Sequence, residues 1–225
     1  MTDTRSWITF EKAVSPADTP AFGAAEVAYA VSLSSGVARQ RAERALQIAP
    51  GFITEQIAAL GASSLLARGE LILEGDALQP RGAIRLLIAI LQTAERWTEI
   101  GLVNEDGIEA ALYLQSPELS VFLQPAALST WSMVVKAPDV ADADLLETII
   151  TGNAVRHPLG TVYFGTELTG FALDGSEKTH LFVRPTGEGA WDLADVEAPG
   201  DGRSDGVDSA AMRERLASFV ALPAA

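Results

Sequence analysis

The sequence contains no cysteine and only two histidines, His157 and His180. Without cysteine, the chain has no disulfide, no thiolate metal site and no thiol nucleophile. Neither histidine belongs to an H-x-x-x-H, H-x-H or H-E-x-x-H spacing. A structural role therefore explains both histidines better than a metal site, and the sequence predicts no bound metal.

The usual signatures of phosphate binding and nucleophilic catalysis are also missing. No G-x-x-x-x-G-K-[ST], G-x-G-x-x-G or G-x-S-x-G string occurs. Asp201, Arg203, Asp205 and Gly206 resemble the start of a calcium loop, but Arg203 replaces an oxygen ligand and Met212 replaces the closing glutamate. These absences predict a protein that is not an enzyme and that binds no cofactor.

Basic residues are few: 16 Lys and Arg face 30 Asp and Glu, which gives a formal net charge of −14. The segment from Asp139 to Asp208 holds 14 acids and four basic residues, a local net charge of −10. Nucleic acid is therefore not an expected partner, since phosphate binding requires clustered Lys and Arg. The acidic residues form either a solvated face or a docking surface for a basic partner.

Long apolar runs are absent as well. The longest aliphatic run, Leu86–Leu91, is far too short to span a bilayer, and the opening MTDTRSWITF lacks the apolar core of a signal peptide. We therefore expect a cytoplasmic protein with no membrane insertion. A chain of 225 residues buries about 70% of its unfolded surface, so its core needs no metal or disulfide.

Apolar spacing predicts that the N-terminal third is mainly helical. Ser15, Pro16 and Asp18 match a helix start. Further helices are predicted, in chain order, over Phe22–Leu33, Arg39–Ile48, Phe52–Leu66 and Gly82–Arg96. A tight hairpin with Gly75 and Asp76 at its turn separates the last two.

The pattern changes from helical to alternating at about Trp97, which is typical of an antiparallel meander. The predicted elements that follow are strands at 100–102, 108–115, 119–124 and 130–136, a short helix from Asp142 to Gly152, and strands at 161–173 and 178–184 joined by DGSE. After the Gly- and Asp-rich loop EAPGDGRSDGVD, Asp208 or Ser209 caps a final helix. The fold class is α+β, a central antiparallel meander with helices packed on it, organised as 1–96 and 97–225 or as one continuous domain.

The string LLARGELILEGDALQPRGAIRLLIAIL, followed by the strand RWTEIGLV, is similar to the pattern of the EspG family of type VII secretion chaperones. The residues that carry the match are Leu65, Arg68, Gly69, Leu71, Asp76, Leu78 and Pro80. The closing MRERLASFVALPAA is also similar to the helix and proline near that family's end. This resemblance implies a cytosolic α+β chaperone that binds the helical tip of a secreted helical substrate and has no catalytic residues.

A chaperone of this kind needs an exposed apolar patch with a polar rim. In the meander, Tyr113, Phe122 and Trp131 are the candidate partner-binding residues, and burial of each in the core is the alternative.

Two other classes of function stay open. The unit Phe52–Arg96 has the order of a winged helix and suggests a transcriptional regulator, but its candidate recognition helix offers only Arg68, beside Glu55 and Glu70. An enzyme with an unrecognised site would place a deep pocket at His157 or His180. An immunity or assembly factor has the same profile of an acidic, cysteine-free binding protein.

Overall fold

A computed structural model of the chain describes residues 19–170, 173, 177–187, 189–195 and 202–223. The predicted helix start at Ser15 and the DGSE hairpin fall outside these residues. Within them the chain is α+β, with a large antiparallel sheet, a two-stranded sheet and six α-helices. The predicted fold class is confirmed to that extent. None of the helices in this part of the chain is long and apolar enough to span a membrane.

The helices are α1 Ala24–Ser32, α2 Gly36–Ala45, α3 Glu55–Ala67, α4 Gly82–Thr93, α5 Asp142–Arg156 and α6 Ser209–Phe219. The strands are β1 Ala21–Phe22, β2 Leu71–Glu74, β3 Ala77–Pro80, β4 Arg96–Asn104, β5 Gly107–Gln115, β6 Ser120–Ala126, β7 Thr130–Val135, β8 Thr161–Leu168, β9 Thr179–Gly187, β10 Ala190–Asp195 and β11 Arg203–Val207. The N-terminal third thus holds three helices together with strands β1 and β2, and its first 18 residues are outside the described part.

The chain divides into two compact units. Unit 1 comprises the described part of Met1–Ala94 together with Leu114–Val135, and unit 2 comprises Glu95–Tyr113 together with the described part of Lys136–Ala225. The sequence did not indicate that strands β6 and β7 group with the N-terminal helices.

In unit 1, α1 and α4 each contribute five buried apolar residues to the core. The buried residues of α4 are Ile84, Leu87, Ile88, Ile90 and Leu91. The strand order is β1-β7-β6, with antiparallel pairs that place Phe22 opposite Trp131. A 3-10 turn, Ala127–Ser129, joins β6 to β7.

In unit 2, the strand order is β5-β4-β8-β9-β10-β11, and only the Gly107–Tyr113 part of β5 belongs to it. Alternation along these strands buries one set of side chains, which includes Ile100, Leu102, Phe164, Leu181 and Val183. Helix α6 begins as predicted, because the Asp208 carboxylate accepts a hydrogen bond of 2.8 Å from the Ala211 N–H.

Two predictions about unit 2 are wrong. Helix α5 does not end at Gly152 but continues one further turn to Arg156, since helical hydrogen bonding outweighs the low helix propensity of a single glycine. The stretch Arg203–Val207, predicted as loop, forms strand β11, because pairing with β10 satisfies its backbone groups despite its polar composition.

Candidate partner-binding cleft

Unit 1 contains a cleft of about 430 Å³, which we call the Trp131 cleft. Its lining comes from the start of α1, from the connection between α2 and α3, and from the ends of β6 and β7 that flank their turn. The lining residues are Ala24, Val27, Leu46, Gln47, Ile48, Ala49, Phe52, Pro125, Ala126, Ser129, Thr130 and Trp131. Most of these side chains are apolar, and Gln47, Ser129 and Thr130 add an amide and two hydroxyl groups.

Backbone strain is concentrated at this cleft. Among the described residues, only three that are not glycine have φ in the left-handed region: Gln47 at 53°, Leu128 at 59° and Ser129 at 56°. Gln47 and Ser129 line the cleft, and Leu128 stands in the same turn as Ser129. Left-handed backbone costs about 1–2 kcal/mol for a residue with a Cβ atom. Strain of this kind clusters at binding sites, where the surrounding structure holds it.

Two apolar side chains at this end of unit 1, Leu128 and Phe52, are exposed to solvent. Leu128 is 95% exposed and Phe52 is 39% exposed, while Trp131 is half-buried. Exposed leucine and aromatic side chains beside an apolar cleft, with polar groups at its edge, are typical of a surface that binds another protein.

The three candidate residues from the sequence fall in different surroundings. Tyr113 and Phe122 are 0% and 2% exposed. The Tyr113 hydroxyl donates a hydrogen bond to the Asp142 carboxylate. Side chains buried in this way present no surface to a partner, so Trp131 alone of the three lines a cleft.

Sequence reasoning missed Leu128 and Phe52. Leu128 is an apolar residue in the turn between two predicted strands, where polar residues and glycine are usual. The apolar side chain in a turn was the available signal. Phe52 follows Pro50 and Gly51; the predicted helix begins at Phe52, whereas α3 begins at Glu55.

The residues that carry the family resemblance have structural contacts. The buried carboxylate of Glu26 accepts hydrogen bonds from Ser64 Oγ at 2.7 Å, from the Gly23 N–H at 2.9 Å and from Arg68 Nη1 at 3.1 Å. Arg68 also donates to Glu70 at 2.8 Å. The other carboxylate oxygen of Glu70 accepts from the N–H of Ile84 at 2.8 Å, in the first turn of α4. One ionic network thus connects α1, α3, the hairpin and α4.

Leu65 and Leu71, from the same string, are fully buried, and Gly69 has a φ of 75° just beyond the end of α3. Glycine adopts this left-handed conformation without steric cost, which ends the helix before the hairpin. The string therefore specifies a helix, a turn and a hairpin through its contacts, whatever surface the protein uses for binding.

Neither histidine is among the residues that line the Trp131 cleft. The backbone N–H of His157 donates a hydrogen bond to the Asn153 carbonyl at the C-terminal end of α5. The ring atom Nδ1 of His180 shares a 2.8 Å hydrogen bond with the Tyr163 hydroxyl. Burial, and secondarily the charge of Glu99, raises the pKa of Tyr163 to about 12. In the part of the chain that the structure describes, no group of three or more His, Asp or Glu side chains is placed to hold a metal ion.

A second cleft of unit 1, with a volume of about 420 Å³, lies among α1, α3 and Leu78. Its lining includes Tyr29, Ile53 and Ala62 and none of the three residues with left-handed backbone. Backbone strain therefore distinguishes the Trp131 cleft from this second cleft.

The fold and this cleft describe an α+β protein with an apolar, strained concavity on its helical unit. No known protein-family model matches the chain, and no curated protein is significantly similar to it. Its function must therefore be inferred from its own residues.

Proposed function

We propose that this chain is a non-enzymatic protein-binding protein that uses the Trp131 cleft to receive the apolar face of a helix from its partner. In its most specific form, the proposal is a cytoplasmic chaperone for helical substrates of type VII secretion, in line with the family that the sequence resembles. The observation that supports it best is the position of Gln47, Leu128 and Ser129, the three strained residues, around one apolar cleft.

Two physical arguments connect that observation with a helical partner. An apolar helix presents side chains at positions i, i+3, i+4 and i+7, and such a face fits a groove with apolar walls. Burying one exposed leucine side chain contributes about 1.5–3 kcal/mol. Contact with a partner would bury the Leu128 side chain and would therefore stabilise the complex.

The two alternatives, a winged-helix regulator and an enzyme with an unrecognised site, receive less support from the structure. The Arg68 side chain, on which a winged-helix interpretation depends, pairs with Glu26 and Glu70. His157 and His180 line neither of the two unit 1 clefts nor a cleft of about 230 Å³ in unit 2.

The test is capture of the partner from a lysate of the native host at moderate salt, with three versions of the protein. The wild type, the variant Leu128→Ser and the variant Leu159→Ser are immobilised, and the bound material is identified by mass spectrometry. Leu159 is a matched control, because it is 69% exposed, belongs to unit 2 and does not line the Trp131 cleft.

We expect a small helical protein in stoichiometric amount with the wild type and with Leu159→Ser, and a reduction of about tenfold with Leu128→Ser. Equal capture by all three proteins would contradict the use of this cleft. Capture of nucleic acid in place of protein would contradict the proposed function itself.

A further inference from the structure

Arg96 in unit 2 is a buried cation with an incomplete set of partners. Arg96 is the first residue of strand β4 and is 8% exposed. Nη1 donates to Thr166 Oγ1 at 3.3 Å, and Nη2 donates to the carbonyl oxygen of Ala221, just beyond α6. Nε is buried and has no hydrogen-bond partner among the described residues.

No carboxylate in the described part of the chain forms an ion pair with Arg96. A guanidinium stays charged in proteins, and a buried charge without a counter-charge is strongly unfavourable. Burial accordingly lowers the pKa of Arg96 from its ordinary value. The carbonyl groups at the end of α6 supply only a partial negative charge, equivalent to about half an elementary charge for a whole helix terminus.

Arg96 lines the unit 2 cleft of about 230 Å³, which we call the Arg96 cleft. Its lining residues are Arg96, Thr166, Glu167, Leu168, Thr179, Arg215, Ser218 and Phe219. The set contains a second guanidinium and three hydroxyl groups. Such donors are the ones that bind carboxylate and phosphate oxygens.

The two acids near the Arg96 cleft leave Arg96 without a counter-charge. Glu167 pairs in register with Trp97, the neighbour of Arg96, so its side chain points to the sheet face opposite to that of Arg96. Asp195 pairs with Arg215 at 2.5 Å and holds that guanidinium at the cleft.

We propose that the Arg96 cleft binds a small ligand through an oxyanion group, a carboxylate or a phosphate, which supplies the counter-charge for Arg96. Arg215 contributes the second guanidinium, and the hydroxyls of Thr179 and Ser218 offer further donors to the oxygens. This ligand is distinct from the protein partner of the Trp131 cleft, since the Arg96 cleft is built entirely from residues of unit 2.

The binding experiment uses the full chain, with sodium phosphate and sodium acetate as probes and sodium chloride at equal ionic strength as the reference. The readout is the side-chain Nε–H resonance of Arg96 in ¹H–¹⁵N NMR spectra, together with the melting temperature. We expect a saturable shift of this resonance and a higher melting temperature with at least one of the two oxyanions. The anion that produces them identifies the class of ligand, and saturation by neither one overturns the proposal.

Two variants of α6 locate the site. Arg215→Gln removes a donor from the half-exposed rim and should weaken binding about tenfold without disturbing the buried Arg96. Arg213→Gln is the matched control, because Arg213 lies on the same helix but pairs with Asp144 and does not line the Arg96 cleft. Equal effects of the two variants would show a general effect of surface charge and would overturn the proposal.

Discussion

Leu128 combines two features that do not stabilise the folded state. Its side chain is 95% exposed, and its backbone has a φ of 59° and a ψ of 35°. A glycine or asparagine in this turn would relieve the strain, and a polar side chain would be better solvated. A leucine in this place is therefore better explained by contact with a partner than by the stability of the fold.

Replacing Leu128 with glycine should leave the free energy of unfolding unchanged or raise it by up to about 1 kcal/mol. Relief of left-handed strain of about 1–2 kcal/mol exceeds the extra chain entropy of glycine, about 0.5–1 kcal/mol. Urea denaturation measures the difference. Leu159→Gly, at an exposed position without left-handed φ, is the control and should lose stability. A larger loss in Leu128→Gly than in this control would contradict the strain argument.

Phe122→Ala should lower the free energy of unfolding by about 3–5 kcal/mol, the range for removing a buried phenylalanine ring. Phe122 is 2% exposed, and its neighbours Val121 and Leu123 are 0% and 1% exposed. Thermal or urea denaturation provides the measurement. A change of less than about 1 kcal/mol would mean that the ring is not part of the core.

The sequence could not separate Phe122 from Trp131, because both stand in short strands that are rich in apolar residues. Three consecutive buried residues in β6 give no alternation from which to decide which face is solvated. The pairing of β6 with β7 places the two side chains on opposite faces of the sheet. Which parts of each face are covered depends on contacts between residues that are distant in sequence.

Helices and strands were predicted well wherever one periodicity ran without interruption. The hairpin β2–β3 formed with Gly75 and Asp76 in its turn, and α6 buried Met212, Leu216 and Phe219 as its spacing required. The sequence failed where a tertiary contact decides, as in β11, whose polar residues form a strand because β10 offers backbone partners.

Gly61 illustrates such a contact between two helices. A Cβ atom at this position would lie 2.0 Å from the carbonyl oxygen of Ala25, so α1 and α3 approach each other through the glycine. Glycine inside a helix normally lowers stability by about 1 kcal/mol relative to alanine. At Gly61 the close approach of the two backbones outweighs that penalty. In the sequence, this glycine shows only as an interruption of the helical pattern of α3.

Gly61→Ala should therefore lower the free energy of unfolding by about 1–3 kcal/mol or more, because two backbones must move apart. Gly152→Ala, inside α5, should raise it by up to about 1 kcal/mol, since a Cβ atom there meets no atom within 4 Å. Both values follow from urea denaturation of the two variants in parallel. Stabilisation by Gly61→Ala would contradict the close crossing of α1 and α3.

Tyr163, on strand β8 between β4 and β9, should make the stability of the fold depend on pH. The pKa of Tyr163 is about 12 in the folded chain, against an ordinary value of 10.0. Between these values the folded state holds a proton that the unfolded state has lost, so the contribution of Tyr163 is fully present below pH 10 and is lost as the pH rises towards 12. Tyr163→Phe should make the loss of stability over this range less steep, as measured by denaturation at several pH values. An unchanged slope would exclude the contribution of Tyr163.

The two units show why the organisation of the whole chain was harder to predict than its elements. Leu114–Val135 returns to unit 1 after β4 and most of β5 have joined unit 2. Composition does not change at these crossing points, and pairing between distant strands leaves no local signal in a single sequence. The Trp131 cleft depends on this return, because β6, β7 and their turn provide one of its walls.

The net charge of the whole chain opposes binding to DNA. The unit Phe52–Arg96, which has the order of a winged helix, contains five acids and four arginines, and the full chain has a net charge of −14. Since Arg68 is paired with Glu26 and Glu70, Arg81 is paired with Glu74 and Arg96 is buried, the unit offers no exposed cluster of cations to a DNA backbone. We expect no binding of double-stranded DNA at about 150 mM salt, measured by fluorescence anisotropy with a labelled duplex. Binding that weakens steeply as salt is raised would contradict this expectation and would favour a regulator over a protein-binding chaperone.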